Sequence, residues 1–161
     1  MNIRVDDLSH PAIRALLEEH VQNMIAITPA GSVHALDLGR LRVPEITFWT
    51  AWDEGQLLGC GALKQLEPTH GEIKSMRTPD AARRRGVGRA MLEHIVSVAR
   101  ERGYTRLSLE TGAMPAFVPA RTLYSRFGFT PCGPFGDYAD DPNNVFMTLR
   151  LPPAAHATIG E

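Results

Sequence analysis

Ile13, Leu16, Leu17, His20, Val21 and Met24 recur at intervals of three and four residues, the spacing of one face of a helix. Ser9 reads as its N-cap, Pro11 fits the first turn, and TPAGS at 28–32 ends it. NIRV at 2–5 reads as a short strand, and HALDLGRLRVP at 34–44 offers one or two helical turns closed by Pro44. From Glu45 the pattern changes. EITFWTAW (45–52) is rich in β-branched and aromatic residues, DEG (53–55) is a turn signal, and QLLGCGALKQL (56–66) reads as the returning strand. After EPTHG comes a third run, EIKSMRT (72–78), so the three predict an antiparallel meander.

The helical period then returns. Over 88–102, Met91, Leu92, Ile95, Val98 and Ala99 line one side, while Arg89, Glu93, Ser97, Arg100 and Glu101 line the other. Gly103 stands where a C′ glycine ends a helix, and TRLSLET (105–111) alternates as a strand. Strand 72–78, helix 88–102 and strand 105–111 therefore predict a βαβ unit with a right-handed crossover and parallel strands. A further helix at about 116–127, stopped by Gly128, leads to closing strands at 129–133 and 144–151. The expected class is α/β of the α+β type. A mixed sheet of about six to seven strands is flanked by about four helices, in one domain over 1–151 with a loose tail at 152–161.

Composition narrows the function. A chain of 161 residues can bury its own core, and a formal net charge of −1 disfavours a protein that lives on nucleic acid. No apolar run approaches the roughly 20 residues that span a bilayer, and the N-terminus has no signal-peptide core, so no membrane is expected and the cytoplasm is the default. Cys60 and Cys132 lie far apart in strand-like apolar settings and read as two buried thiols. The six histidines form no i,i+4 pair and there is no Cys-x-x-Cys, so no metal is expected.

One local feature stands out against this neutral background: Arg83-Arg84-Arg85-Gly86-Val87-Gly88-Arg89-Ala90, at the junction of a strand-to-helix loop and a helix. Glycines there let backbone N–H groups approach a ligand, and a helix start favours an anion. Arginines add forked donors suited to phosphate oxygens, so the stretch suits a diphosphate. It lacks the Gly-Lys-Ser/Thr of a triphosphate loop and the G-x-G-x-x-G of a dinucleotide site. A basic, merely solvated helix start is the plain alternative.

Arg83 to Gly88 resembles the Arg/Gln-x-x-Gly-x-Gly/Ala signature of the GNAT superfamily of N-acetyltransferases. ARTLYSRFGF (120–129) resembles that family's second motif, Ala-x-x-Leu-Tyr-x-x-x-Gly-Phe. GPFGDYADDPNNVFM (133–147) is similar to a small single-domain bacterial branch. The resemblance implies the GNAT fold and direct transfer of acetyl from acetyl-CoA, the cosubstrate, to an amine of a small molecule, amino acid, peptide or protein. An acetyl-CoA-binding sensor that lost transfer is the non-enzymatic alternative. The resemblance further implies that the backbone of residues 83–90 holds the pyrophosphate. Met76, Arg77 and Thr78 end the preceding strand, where backbone groups pair with the pantetheine arm and the acetyl carbonyl. Many members of the family form dimers.

Tyr124 falls on the tyrosine that in many members protonates the leaving thiolate; a buried aromatic anchor is the alternative. Glu72, eleven residues before Arg83, resembles by its spacing the catalytic glutamate of the family's histone-acetyltransferase branch, and alternation puts it on one face with Lys74 and Met76. It also reads as an exposed strand carboxylate paired with Lys74, and Glu110, His70 or a water relay are other candidate bases. Phe117 stands seven residues before Tyr124, where the family often carries asparagine. Phe48, Trp49 and Tyr138 are candidate acceptor contacts, and DDPNN (140–144) is an ordinary turn signal.

Overall fold

The computed structural model describes residues 1–27, 38–79 and 85–152. The expected tail from 153, the TPAGS break, and Arg83 and Arg84 lie outside the described residues. Seven strands form one sheet: β1 (Asn2–Val5), β2 (Ile46–Asp53), β3 (Gln56–Glu67), β4 (His70–Arg77), β5 (Arg106–Gly112), β6 (Thr130–Cys132) and β7 (Asn144–Arg150). Their order is β1-β2-β3-β4-β5-β7-β6. Among the described strands only β4 and β5 pair in parallel, joined by a crossover that includes helix α3 (Val87–Glu101). The other helices are α1 (Pro11–Ile27), α2 (Leu38–Leu41) and α4 (Val118–Arg126), the last preceded by a 3-10 turn at Pro115–Phe117.

Helix α1 begins where the periodicity placed it, with a different cap. His10, not Ser9, closes the N-terminus: its Nδ1 accepts the Ala12 N–H at 3.0 Å, and its carbonyl accepts the N–H of Ile13 and Arg14. The Ser9 hydroxyl is taken by Asp7 Oδ1 at 2.6 Å, so the hydroxyl nearest in sequence has a competing partner.

The sheet separates two cores. Leu8, Ile13, Leu16, Leu17, Leu41, Phe48, Trp52 and Cys60 pack beneath α1 and α2. On the opposite face, Trp49, Ile73, Leu107, Leu109 and Met147 meet Met91, Leu92, Ile95, Val96 and Ala99 of α3. Val96 is buried although the sequence face omitted it, and Val98 packs only at the margin, because α3 buries a broader stripe than its strongest periodicity shows. Cys60 is buried, whereas Cys132 on the edge strand β6 is only half-buried; the two thiols form no disulfide.

Candidate active site

The site begins with a break in strand alternation. Along β3 two residues advance from Cys60 to Ala62, while β4 uses three, from Arg77 back to Lys74. The extra residue is a β-bulge, and Ser75 within it has φ of 55°, a left-handed conformation costly for a side-chain-bearing residue. The buried Cys60 thiol donates to the Ser75 carbonyl at 3.2 Å, which fastens the bulge to β3. Burial pushes that thiol up to about 12, so it remains a donor.

The bulge corrects one expectation. Glu72 and Lys74 do share a face, but Met76 crosses to the α3 side, where its sulfur lies beside Gly61 near Met91. One added residue inverts every later side chain, and sequence alternation alone carries no sign of it.

Pairing of β4 with β5 runs from His70–Arg106 to Ile73–Leu109 and goes no further. Beyond that rung β5 continues against β7, with Glu110 opposite Phe146 and Gly112 opposite Asn144. The two parallel strands part there, and beside the end of β4, between α3 and α4, lies a cleft of about 140 Å³, lined in part by Met76, Thr78, Val87, Gly88, Leu123 and Tyr124.

Helix α3 starts at this cleft. Gly86 is its N-cap, at φ 77°, a conformation that favours glycine. The first intrahelical bond runs from Ala90 N to Gly86 O at 3.0 Å, so the N–H groups of Val87, Gly88 and Arg89 have no acceptor within the helix. At Gly88 an added Cβ would meet only Leu123 Cδ2, at 3.6 Å, which is ordinary contact. The fold thus tolerates a side chain there, and the space over the backbone is open to a ligand. These features fit a coenzyme A pyrophosphate. Val87 is buried in the α3 core and Ala90 is half-buried, so they offer backbone rather than side chain. Arg85 lies 3.6 Å from Asp53 of β2, Arg89 lies 3.8 Å from Glu93, and Arg77 lies 3.7 Å from Glu19 of α1.

Tyr124 stands on the cleft wall. It is 7% exposed, packs edge-on against Phe129 at 5.8 Å, and burial pushes its hydroxyl up to about 12. Its helix is set by two contacts that the sequence did not signal. Arg121 Nη1 donates to the Gly112 carbonyl at 2.6 Å and to the Met114 carbonyl at 3.3 Å. Phe117 packs on the bare Cα of Gly112, where a Cβ would overlap the ring.

On the opposite face of β4 lies a buried polar cluster. Glu72 is 3% exposed. Its Oε2 accepts the Tyr138 hydroxyl at 2.6 Å and Lys74 Nζ at 3.3 Å. Lys74 Nζ also lies 3.2 Å from the Tyr138 hydroxyl. Burial first, then the nearby Glu72 and Glu110 charges, push the Tyr138 phenol well above its usual range, so it stays a donor. Beside them His70 Nε2 is 2.7 Å from Ser108 Oγ, which is 3.2 Å from Thr148 Oγ1. Thr148 spends its proton on the Leu107 carbonyl at 3.0 Å. Ser108 must then donate to Thr148, and His70 must donate from Nε2, which leaves Nδ1 as the acceptor nitrogen. Desolvation lowers the His70 pKa and favours that neutral form.

Of the three candidate acceptor contacts, Phe48 and Trp49 are 2% and 3% exposed and sit in the two cores, on opposite faces of β2. Tyr138 alone reaches the polar cluster. The DDPNN segment is a turn, with Asn143 N donating to Asp141 Oδ1 at 2.8 Å. Among the described residues no group of three or more His, Cys, Asp or Glu side chains is arranged to hold a metal, and no helix is long and apolar enough to cross a membrane.

A strand splay, a glycine-marked helix start and a tyrosine on the cleft wall define an acyltransferase scaffold, and comparison with known proteins agrees. Residues 13–129 match the model of the acetyltransferase (GNAT) family, and the chain belongs to that family. It is similar to the uncharacterized N-acetyltransferase YsnE of Bacillus subtilis (strain 168), 54% identical over 94% of this chain and 100% of YsnE. The uncharacterized N-acetyltransferase YedL of Escherichia coli (strain K12) is 48% identical over 92% of this chain and 94% of its own length. In fold it is similar to a GNAT family acetyltransferase from Elizabethkingia anophelis with acetyl-CoA bound. That likeness has a TM-score of 0.67 and 16% identity, over 93% of this chain and 97% of the other. The protein is an N-acetyltransferase.

Proposed function

We propose that the protein transfers the acetyl group of acetyl-CoA to a primary amine by direct attack. The observation that carries this reading is the parting of β4 from β5 beside the start of α3, with Tyr124 on the cleft wall and Glu72 buried on the other face of β4. Acetyl-CoA supplies an activated acyl group as a thioester. The backbone N–H groups of Val87, Gly88 and Arg89 receive its pyrophosphate, with Arg85 and Arg89 as flanking cations and Arg83 and Arg84 next to them in the chain. Backbone groups of Met76, Arg77 and Thr78 line the pantetheine path.

An alkylamine with a pKa of about 10.4 reaches a neutral site mostly protonated, so attack requires a proton acceptor. Glu72 takes that proton. Tyr124, protonated throughout the neutral range, donates its hydroxyl hydrogen to the departing sulfur and recovers it from water. The small volume of the cleft and its apolar wall of Met76, Met91 and Leu123 keep water scarce around the thioester.

The test is calorimetric titration with acetyl-CoA, with coenzyme A and ATP as controls, followed by turnover on an amine panel. Saturable binding that prefers acetyl-CoA is expected, and its absence overturns the loop assignment. Tyr124→Phe should lower kcat about 100-fold with little change in acetyl-CoA affinity. An unchanged kcat would leave Tyr124 as an anchor between α4 and Phe129.

A further inference from the structure

Glu72 is held in an unsymmetrical way. Both donors reach the same oxygen, Oε2: the Tyr138 hydroxyl at 2.6 Å and Lys74 Nζ at 3.3 Å. Among the described residues, none donates to Oε1. A hydroxyl-to-carboxylate distance of 2.6 Å lies in the range of strong charge-assisted bonds. Lys74 sets a positive charge beside this buried carboxylate while its own side chain remains 28% exposed.

Tyr138 is in turn fixed by packing. Its ring stands 5.2 Å from Phe135 and 5.6 Å from Phe146, and its N–H donates to the Phe135 carbonyl at 3.1 Å. Phe146 comes from β7 directly opposite Glu110 of β5. The loop between β6 and β7 therefore delivers one hydroxyl to one carboxylate oxygen from 66 residues away.

We propose that Tyr138 and Lys74 are positioning residues for the base: together they hold Glu72 by Oε2 and turn Oε1 toward the acceptor as the proton-accepting oxygen. This rests on the assignment of Glu72 as base. Tyr138 then acts through Glu72 and is not itself an acceptor contact. The other titratable groups around this carboxylate are His70 on β4, with Nε2 committed to Ser108, and Glu110 on β5.

The experiment compares Glu72→Gln, Tyr138→Phe, Lys74→Met and Lys74→Arg in the full chain. It uses the best amine from the panel and measures kcat, both KM values and Tm. Tyr138→Phe preserves the ring stack and removes only the donor. It should leave the acetyl-CoA KM unchanged and lower Tm by a few degrees only, while lowering kcat about 10-fold, the worth of one such bond. Lys74→Met should lower kcat at least as much, and Lys74→Arg should restore most of it, because only charge and reach are required. Full kcat in Tyr138→Phe and Lys74→Met, with Glu72→Gln inactive, overturns the positioning role and leaves the base in place. A raised acceptor KM at unchanged kcat in Tyr138→Phe also overturns it, since that marks an acceptor contact. An active Glu72→Gln removes the base assignment itself, a separate result. If Tyr138→Phe is unstable, the Lys74 pair alone decides the question.

Discussion

Two substitutions at Gly88, by alanine and by glutamate, should separate what the fold needs from what the ligand needs. Gly88 is the second residue of α3, at ordinary helical φ, and lines the cleft. A Cβ there would touch only Leu123 Cδ2 at 3.6 Å, so Gly88→Ala introduces no clash. Replacing glycine by alanine in a helix stabilises by about 0.5–1 kcal/mol, less near the end of a helix, because the unfolded chain loses freedom. For a chain of 161 residues that is a rise in Tm of roughly 1–3 °C. That methyl should leave acetyl-CoA affinity close to the parent's, because the signature admits alanine at this position. Gly88→Glu sets a carboxylate at the helix start beside N–H groups that have no intrahelical acceptor. Costing the pyrophosphate one hydrogen bond to a charged group forfeits about 1.5–3 kcal/mol. Acetyl-CoA affinity should therefore fall roughly 10- to 100-fold in Gly88→Glu, while Tm rises in Gly88→Ala. Differential scanning calorimetry without ligand and isothermal titration with acetyl-CoA measure the two effects. Unchanged affinity in Gly88→Glu would refute the placement of the pyrophosphate; a lowered Tm in Gly88→Ala would refute the claim that the fold leaves this space open.

Two further substitutions probe the packing of α4 and the charge near Arg77. Gly112→Ala sets a Cβ against the Phe117 ring and should cost about 1–3 kcal/mol, displacing α4 and lowering kcat with it; Phe117→Leu in the same chain should recover much of both, read by Tm and turnover. His20, half-buried near Arg77, has its pKa lowered to about 4, first by desolvation and then by the Arg77 charge. Its folded pKa lies below the unfolded value of about 6.5, so the unfolded chain binds the proton first and stability falls as pH drops from about 6.5 toward 4. The full effect is on the order of 3 kcal/mol. Tm measured across that window should fall less steeply in His20→Gln, and parallel curves would show that His20 does not carry the linkage.

Much of the scaffold is local and was readable from residue spacing alone. The 88–102 periodicity, the alternation of 105–111 and the turn glycines fixed the element order, because each depends on neighbours within a few residues. The glycine-arginine stretch was legible for the same reason, since a helix start and its glycines are contiguous in the chain. The orientation of the second half of β4 was not legible. A bulge at Ser75 depends on how β3 and β4 share their hydrogen bonds, and it alone sends Met76 to the side of α3. His10 displaced Ser9 as the cap because Asp7 had already engaged the serine hydroxyl.

Phe48 and Trp49 have the same aromatic character as Tyr138 in sequence, yet the sheet buries them in separate cores. Tyr138 meets Glu72 only because β5 and β7 lie between β4 and β6 in the sheet order, which brings the loop before β7 across the polar face. Sequence by itself determined which residue types were present and which element each occupied. Tertiary structure decided which of them share a site, because contacts across 66 residues depend on strand order and packing that no local period encodes.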